Sequence, residues 1–525
     1  MPKRRSGRLS WAVPKKVDMA ARKVIVIGSG FGGLAAAIRL QARGFEVKLL
    51  EKRDKPGGRA YVYEDEGFTF DGGPTVVTAP FLFGELFELC GKDISDYLQF
   101  VSLDPYYRIR FHDGRFFNYS GDHDKMVEEI RKFNPGDIDG YTSFVEETER
   151  IYKTGFEELG DVPFSSPMDM IKIMPKMVAL GSHRTVYGMV EKFVKDPDLR
   201  VALSFHPLLV GGNPFTTTSI YALIHFLERR WGVWYCLGGT GAIVNALVKL
   251  FEEMGGELVC GCEVEEILVE KGVVSGVALK NSERMHANIV VSNADSAYTY
   301  RHMIAPEVRK KYTDKKLDRM KYSMSLFVAY FGTAKTYPDL AHHMILLGPR
   351  YKGLLHDIFN RKVLADDFSL YLHAPSRTDA SMAPEGCESF YVLSPVPHLG
   401  SGVDWSTMEA EYRERVFKYL ESTCLPGLAE SLLTTRIINP EHFKSELNSI
   451  HGAAFSVEPV LTQSAYFRPH NKSEEVEGLY FVGAGTHPGA GMPGVLSTAK
   501  VVDRLISDRG VSGNPRDPIA GTHAR

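Results

Sequence analysis

One segment constrains the fold more than any other. Lys23-Val24-Ile25-Val26-Ile27 is an unbroken β-branched run, the pattern of a strand covered on both faces. Gly28-Ser29-Gly30-Phe31-Gly32-Gly33 follows directly, then an apolar helical stretch over 34–40, then a second strand-like run over 45–50 that ends at Glu51. Each part has a mechanical purpose. Gly28 permits a tight turn, Gly30 lets the backbone approach a pyrophosphate, and Gly33 lets helix and strand pack closely. The helix N-terminus offers unpaired N–H groups and partial positive charge to phosphates. Glu51 is placed to accept hydrogen bonds from an adenosine ribose and to repel a 2′-phosphate. The pattern predicts a dinucleotide-binding βαβ unit.

Glu51 leads into Lys52-Arg53-Asp54-Lys55-Pro56-Gly57-Gly58-Arg59, and further on comes Gly67-Phe68-Thr69-Phe70-Asp71-Gly72-Gly73-Pro74-Thr75. The acid followed at this spacing by Gly-Gly-Arg resembles the signature of flavoproteins whose FAD domain is of the monoamine-oxidase or glutathione-reductase type. Arg59 is then a rigid fork for a phosphate. Near the C-terminus, Leu479-Tyr480-Phe481-Val482-Gly483-Ala484-Gly485-Thr486 reads as a buried strand entering a glycine turn, and 494–502 reads as a helix. In that superfamily the helix aims its N-terminus at the flavin. Many of its members carry an acid directly after the first glycine of the turn, where this chain has Ala484.

Composition narrows the function class. The chain of 525 residues holds 62 basic and 65 acidic side chains, a net charge of −3, so no basic field supports nucleic-acid binding. Its cysteines (Cys90, Cys236, Cys260, Cys262, Cys387, Cys424) are too scattered for a disulfide framework. They form no C-x-x-C pair, which points to a reducing setting and to no metal centre. Cys260 and Cys262 read as small apolar side chains in a strand. No window approaches 18 consecutive apolar residues, so no spanning helix is expected. Residues 1–22 carry seven basic residues against one acid: a flexible tail, or a polybasic foot for anionic lipid, with Met19 an alternative start. The stretch 509–525 reads as a disordered tail.

Four segments carry a closer likeness. They are Arg53-Asp54-Lys55-Pro56-Gly57-Gly58-Arg59-Ala60-Tyr61-Val62-Tyr63, Leu209-Val210-Gly211-Gly212-Asn213-Pro214-Phe215, Phe455-Ser456-Val457-Glu458-Pro459-Val460-Leu461-Thr462-Gln463-Ser464, and Gly485-Thr486-His487-Pro488-Gly489-Ala490-Gly491-Met492-Pro493-Gly494-Val495. Together they resemble the bacterial-type phytoene desaturases, FAD-dependent members of the carotenoid/retinoid oxidoreductase family, from about residue 23 to about residue 504. The resemblance implies an α/β fold: a Rossmann-like FAD-binding domain with an inserted α+β substrate domain and a helical membrane-facing part. It implies FAD as cofactor and 15-cis-phytoene and its desaturated intermediates as substrates. It further implies neurosporene and/or lycopene as product, quinone or oxygen as electron acceptor, and a peripheral place on the cytoplasmic side of a membrane. Cofactor contacts then fall on Gly28, Gly30, Gly32, Gly33, Glu51, Lys52, Gly58, Arg59, Gly73, Pro74, Thr75, Val264, Gly485, Thr486, Met492, Pro493 and Val495. No metal ligands are assigned.

The FAD domain is expected from 23–105, 226–300 and 471–508, and the substrate domain from 106–225 and 301–470, with membrane-facing helices around 164–195. Within these, 166–180 holds four methionines in ten residues, interspersed with Lys172 and Lys176. Met170, Met174 and Met177 share a helical face, which suits either a lipid interface or a core helix kinked at Pro175.

A hydrocarbon substrate has no heteroatom, so it is held by shape and apolar burial, worth about 25 cal/mol per Å². That requires a long apolar tunnel ending beside the flavin, with Phe205, Phe215, Tyr221, Phe226, Trp231, Trp234 and Tyr235 as candidate lining. Desaturation removes a hydride and a vicinal proton; the flavin takes the first. For the second, Asp169 with Lys172 on one helical face and His487 in the flavin-facing loop are the candidates, with a helix cap the competing reading of Asp169. Two alternatives stay open: a desaturase or isomerase acting on a later carotenoid, and a flavin-less lipid carrier of the Rab escort/GDI type. An amine oxidase shares the cofactor domain, but paired aromatics beside the flavin are not offered by 487–494.

Overall fold

The structure, a computed structural model, describes residues 23–507; the tails expected at 1–22 and 509–525 lie outside the described residues. Strand β1 (Lys23–Ile27), helix α1 (Phe31–Ala42) and strand β2 (Glu46–Leu50) form the expected βαβ unit. They belong to a five-stranded sheet in the spatial order 257–259, β2, β1, 289–292, 479–481, parallel throughout. Val24 and Val26 pack with α1, whereas Ile25 and Ile27 pack against a second core under the three-stranded sheet of 264–286. Burial on both faces is why β1 has no alternation. Helix α1 is apolar over most of its surface because it is sandwiched: Leu34, Ala35, Ala37 and Ile38 are fully buried, and the buried Arg39 is paired with Glu85.

A second sheet of seven strands runs in the order 432–438, 325–333, 388–396, 370–373, 343–346, 107–110, 116–119. Its pairings are antiparallel except where 343–346 meets 107–110. Helices α2 (Pro167–Ala179) and α3 (Leu223–Trp231) lie in the part of the chain between residues 119 and 257. Helix α4 (Met492–Ser507) returns to pack along α1.

Three local expectations are corrected. Cys260 and Cys262 follow the strand Glu257–Val259 and sit half-buried in the loop after it, because that strand stops at Val259. Helix α4 begins at Met492, two residues earlier than the apolar periodicity suggested. Helix α2 is not a core helix, since none of its residues is buried.

Candidate active site

The turn after β1 is built as the sequence indicated. Gly28 has φ +90°, and a Cβ on Gly33 would lie 1.9 Å from the Gly28 carbonyl oxygen, so helix and strand meet at backbone contact. Helix α1 starts at Gly30 with no capping side chain and no acid in its first turn, leaving its N–H groups for an anion. A Cβ on Gly32 would lie 2.7 Å from Asn293 Oδ1, which closes the turn against the neighbouring strand end.

Glu51 directly follows β2 and is buried. Its Oε2 accepts from the Ser29 N–H (2.8 Å) and Ser29 Oγ (2.5 Å), and its Oε1 from the Arg53 N–H (3.0 Å). The carboxylate is therefore fixed by the glycine turn itself, with lone pairs left over for a diol. Lys52 Nζ reaches Asn448 Oδ1 at 3.0 Å, tying this edge to the 440s segment. Arg59 donates from Nε to the Ala454 carbonyl (2.6 Å) and from Nη2 to Ser449 Oγ (2.9 Å), both neutral acceptors. Burial pushes its guanidinium below the usual arginine value, partly offset by Asp295. A desolvated cation held by neutral groups suits a phosphate. Asp295 caps the turn at Ala297 and Tyr298 through Oδ1, while its Oδ2 is buried without a partner.

Most of these groups line one cavity of about 550 Å³. Of the expected cofactor residues, Gly28, Gly30, Gly32, Glu51, Lys52, Gly58, Arg59, Gly73, Pro74, Thr75, Val264, Met492, Pro493 and Val495 line it. Gly33, Gly485 and Thr486 do not. Gly33 packs against Gly28, as its spacing suggested. Gly485 turns toward Ser296, whose Oγ donates to its carbonyl at 3.1 Å, and Thr486 is fully buried with Oγ1 donating to the Pro469 carbonyl at 2.6 Å. Both hold the loop from behind, and the neighbours Gly483, Ala484 and Gly491 form the wall instead. Ser29, Asn293 and Asp295 were not named as cofactor contacts; Asn293 and Asp295 belong to the Ser292-Asn293-Ala294-Asp295 turn that follows a buried strand.

Beyond the glycine walls the cavity becomes apolar, bounded by Leu208, Leu326, Val328, Ile345, Leu347, Phe455 and, from α2, Met170, Ile173 and Met177. Phe205 and Tyr221 are in the wall; Phe215, Phe226, Trp231, Trp234 and Tyr235 are not. Asp169 and Lys172 also lie outside it. Asp169 Oδ2 accepts from the N–H groups of Ser165 (3.1 Å) and Ser166 (2.9 Å) while its own N–H donates to Ser166 Oγ, a capping box that consumes the carboxylate. Lys172 is exposed. Their shared helical face is the reason they looked like a pair, and that face is turned away from the cavity.

His487 does line the cavity. Its Nε2 is 3.4 Å from the Leu159 carbonyl, its Nδ1 is buried without a partner, and its ring meets Phe164 edge-on at 4.8 Å. Burial lowers its pKa to about 4, so the imidazole is neutral near pH 7. The sequence reading missed Glu228 on α3, a fully buried carboxylate among the cavity-lining residues. Its Oε1 accepts from the Tyr107 hydroxyl at 2.7 Å and its Oε2 faces His206 Nε2 at 3.1 Å. Only an apolar stripe around a lone acid (Leu223, Ile224, Leu227, Glu228) hinted at it.

A parallel-sheet nucleotide domain, a second sheet over its glycine-lined cavity, and a returning C-terminal helix define the class: a flavin-dependent oxidoreductase. The model of the flavin containing amine oxidoreductase family matches residues 31–502. The fold also resembles the cyclohexylamine oxidase of Brevibacterium oxydans, with a TM-score of 0.58 at 14% identity over 93% of this chain and 99% of that one. Much nearer in sequence is a lycopene-forming phytoene desaturase of Pantoea ananas, 50% identical over 92% of this chain and 98% of the relative. A neurosporene-forming phytoene desaturase of Rhodobacter capsulatus is 45% identical over 95% and 96%. The chain belongs to the bacterial phytoene desaturase family.

Proposed function

We propose that the protein is a FAD-dependent desaturase converting 15-cis-phytoene to neurosporene and/or lycopene. The observation that carries this reading is continuity: one cavity runs from the Glu51 nucleotide end, past the Arg59 and Asp295 charges, into aliphatic walls that reach α2. FAD, when bound, supplies the acceptor for the hydride. The chain does the rest. Glycine backbone and Glu51 hold the cofactor at its nucleotide end, Arg59 holds phosphate, and the aliphatic walls bind and orient a hydrocarbon while excluding water. Glu228 takes the vicinal proton at a carboxylate oxygen, and His206 Nε2, 3.1 Å away, shares it.

We also propose a peripheral place on the cytoplasmic side of a membrane; the outer face of α2 supports the membrane contact. Met168, Ile171, Met174 and Val178 are 51–59% exposed, opposite Met170, Ile173 and Met177 in the cavity wall. Met174 thus departs from the face expected for it. A helix apolar on both sides suits a lipid-facing doorway. No helix among the described residues is long and apolar enough to cross a membrane. Electrons leave to a quinone or to oxygen.

The test is purified protein with FAD, phytoene-loaded liposomes and a quinone, followed by absorbance of the extracted products. Long-wavelength polyene bands are expected; a colourless protein that refuses flavin overturns the reading and restores a lipid carrier. Glu228→Gln should keep flavin loading and substrate binding while turnover drops by about 10²–10⁴-fold. Turnover within tenfold of the unsubstituted protein removes Glu228 from the chemistry.

A further inference from the structure

Behind the cavity wall, the paired strands His343–Leu346 and Leu370–His373 bring three histidines together. His343 and His373 are register partners, and His342 directly precedes the first strand. One ring nitrogen from each lies within 4.8 Å of the other two. The ring centroids are 4.5, 4.8 and 5.4 Å apart, and all three side chains are buried. We infer that His342, His343 and His373 form a binding site for one divalent transition-metal ion, with zinc the best fit to three nitrogens.

The hydrogen bonding is arranged as in a metal site. His342 Nδ1 lies 2.7 Å from Thr378 Oγ1, and His343 Nδ1 lies 2.7 Å from the Tyr371 hydroxyl. Anchoring one ring nitrogen to an oxygen commits the other to the ion, the usual outer-shell device. His342 Nε2 is 3.0 Å from His373 Nε2. Two nitrogens bound at 2.0–2.1 Å to a tetrahedral ion are about 3.3 Å apart. A proton shared between His342 and His373 explains that pair but leaves His343 Nε2 buried without a partner. An ion satisfies all three.

The surroundings supply the rest. Tyr235, whose ring centroid is 4.7 Å from that of His342, has a buried hydroxyl without a partner. Asp71 and Asp379 act electrostatically on that hydroxyl, and Asp71 Oδ2 is itself buried and unpartnered. The three histidines do not line the cavity, but Tyr371 does, and it also bonds Thr75 Oγ1 at 3.1 Å. The ion's role is therefore structural, fixing the wall through His343 and Tyr371.

The experiment uses the full chain, purified without a polyhistidine tag from Zn²⁺-supplemented medium, washed with a weak chelator and analysed by elemental mass spectrometry. About one Zn²⁺ per chain is expected, and Co²⁺ in its place should give the visible d–d bands of a tetrahedral site with three nitrogen ligands. Thr378→Val should weaken Zn²⁺ binding by roughly 10–100-fold with unchanged circular dichroism. His343→Gln and His373→Gln should lose the ion. Wild-type protein with native circular dichroism, no stoichiometric Zn²⁺ and no Co²⁺ bands overturns the proposal and leaves a hydrogen-bonded histidine cluster. Retention of the ion by folded His343→Gln and His373→Gln overturns it equally. If those two variants do not fold, the wild-type metal content and the Thr378→Val affinity decide.

Discussion

Glu51 shows how a single carboxylate links backbone and cofactor. It accepts three hydrogen bonds from the turn that follows it and the turn that precedes α1, so removing its charge loosens both. Glu51→Arg forfeits charge-assisted bonds worth about 1.5–3 kcal/mol each. Flavin loading, read from the 450 nm absorbance of purified protein, should fall at least tenfold, with activity falling in parallel; normal loading would refute the ribose role. Residues of this kind were legible because covalent spacing alone defines them: a glycine turn, a helix and the end of the next strand lie within thirty residues. Glu228 was not legible for the opposite reason. What makes it chemical is the set of partners around it, Tyr107 and His206, which come from distant parts of the chain. The histidine trio was hidden in the same way, since only the pairing of two strands places His373 beside His343. Asp169 carried two readings from the sequence, and an acid three residues after a serine is what the capping box found there needs.

Among the elements, α2 separates composition from placement. Its methionine content announced an adaptable apolar helix, yet content could not say which side faces the cavity, since both sides are apolar. The structure assigns Met170, Ile173 and Met177 inward and Met168, Ile171, Met174 and Val178 outward. Ile171 and Val178 are 57% and 59% exposed, so charging them costs little folding stability. The double variant Ile171→Glu/Val178→Glu should load flavin normally but co-sediment poorly with anionic liposomes, and should turn over liposome-borne substrate several-fold more slowly than detergent-dispersed substrate. Equal sedimentation of variant and parent would remove α2 from the membrane contact. The βαβ unit was more legible than α2, because a strand and a helix buried on nearly every side leave no choice of face.

At the scale of the whole molecule, the second sheet closes over the nucleotide domain and traps polar groups that solvent no longer reaches. Burial lowers His487 and His398 to about 4, so both are neutral in the fold and protonated in the unfolded chain below pH 6.5. Their contribution is present above pH 6.5 and is lost as pH falls from 6.5 toward 4, at about 1.4 kcal/mol per pH unit for each. Urea midpoints should therefore be flat from pH 8 to 6.5 and drop below it, with a shallower drop in His487→Gln. An unchanged slope would mean that His487 is hydrated in solution. The return of the chain to the first sheet was readable from the glycine turn late in the sequence; the order of the seven-stranded sheet, built from segments more than three hundred residues apart, was not.

The double-sided helix at the proposed doorway also changes what concentration means for this protein. If substrate enters sideways from a bilayer, occupancy follows its mole fraction among the lipids and not its amount per millilitre. Diluting a fixed quantity of hydrocarbon with more vesicles should slow each turnover, even though nothing in the surrounding water has changed.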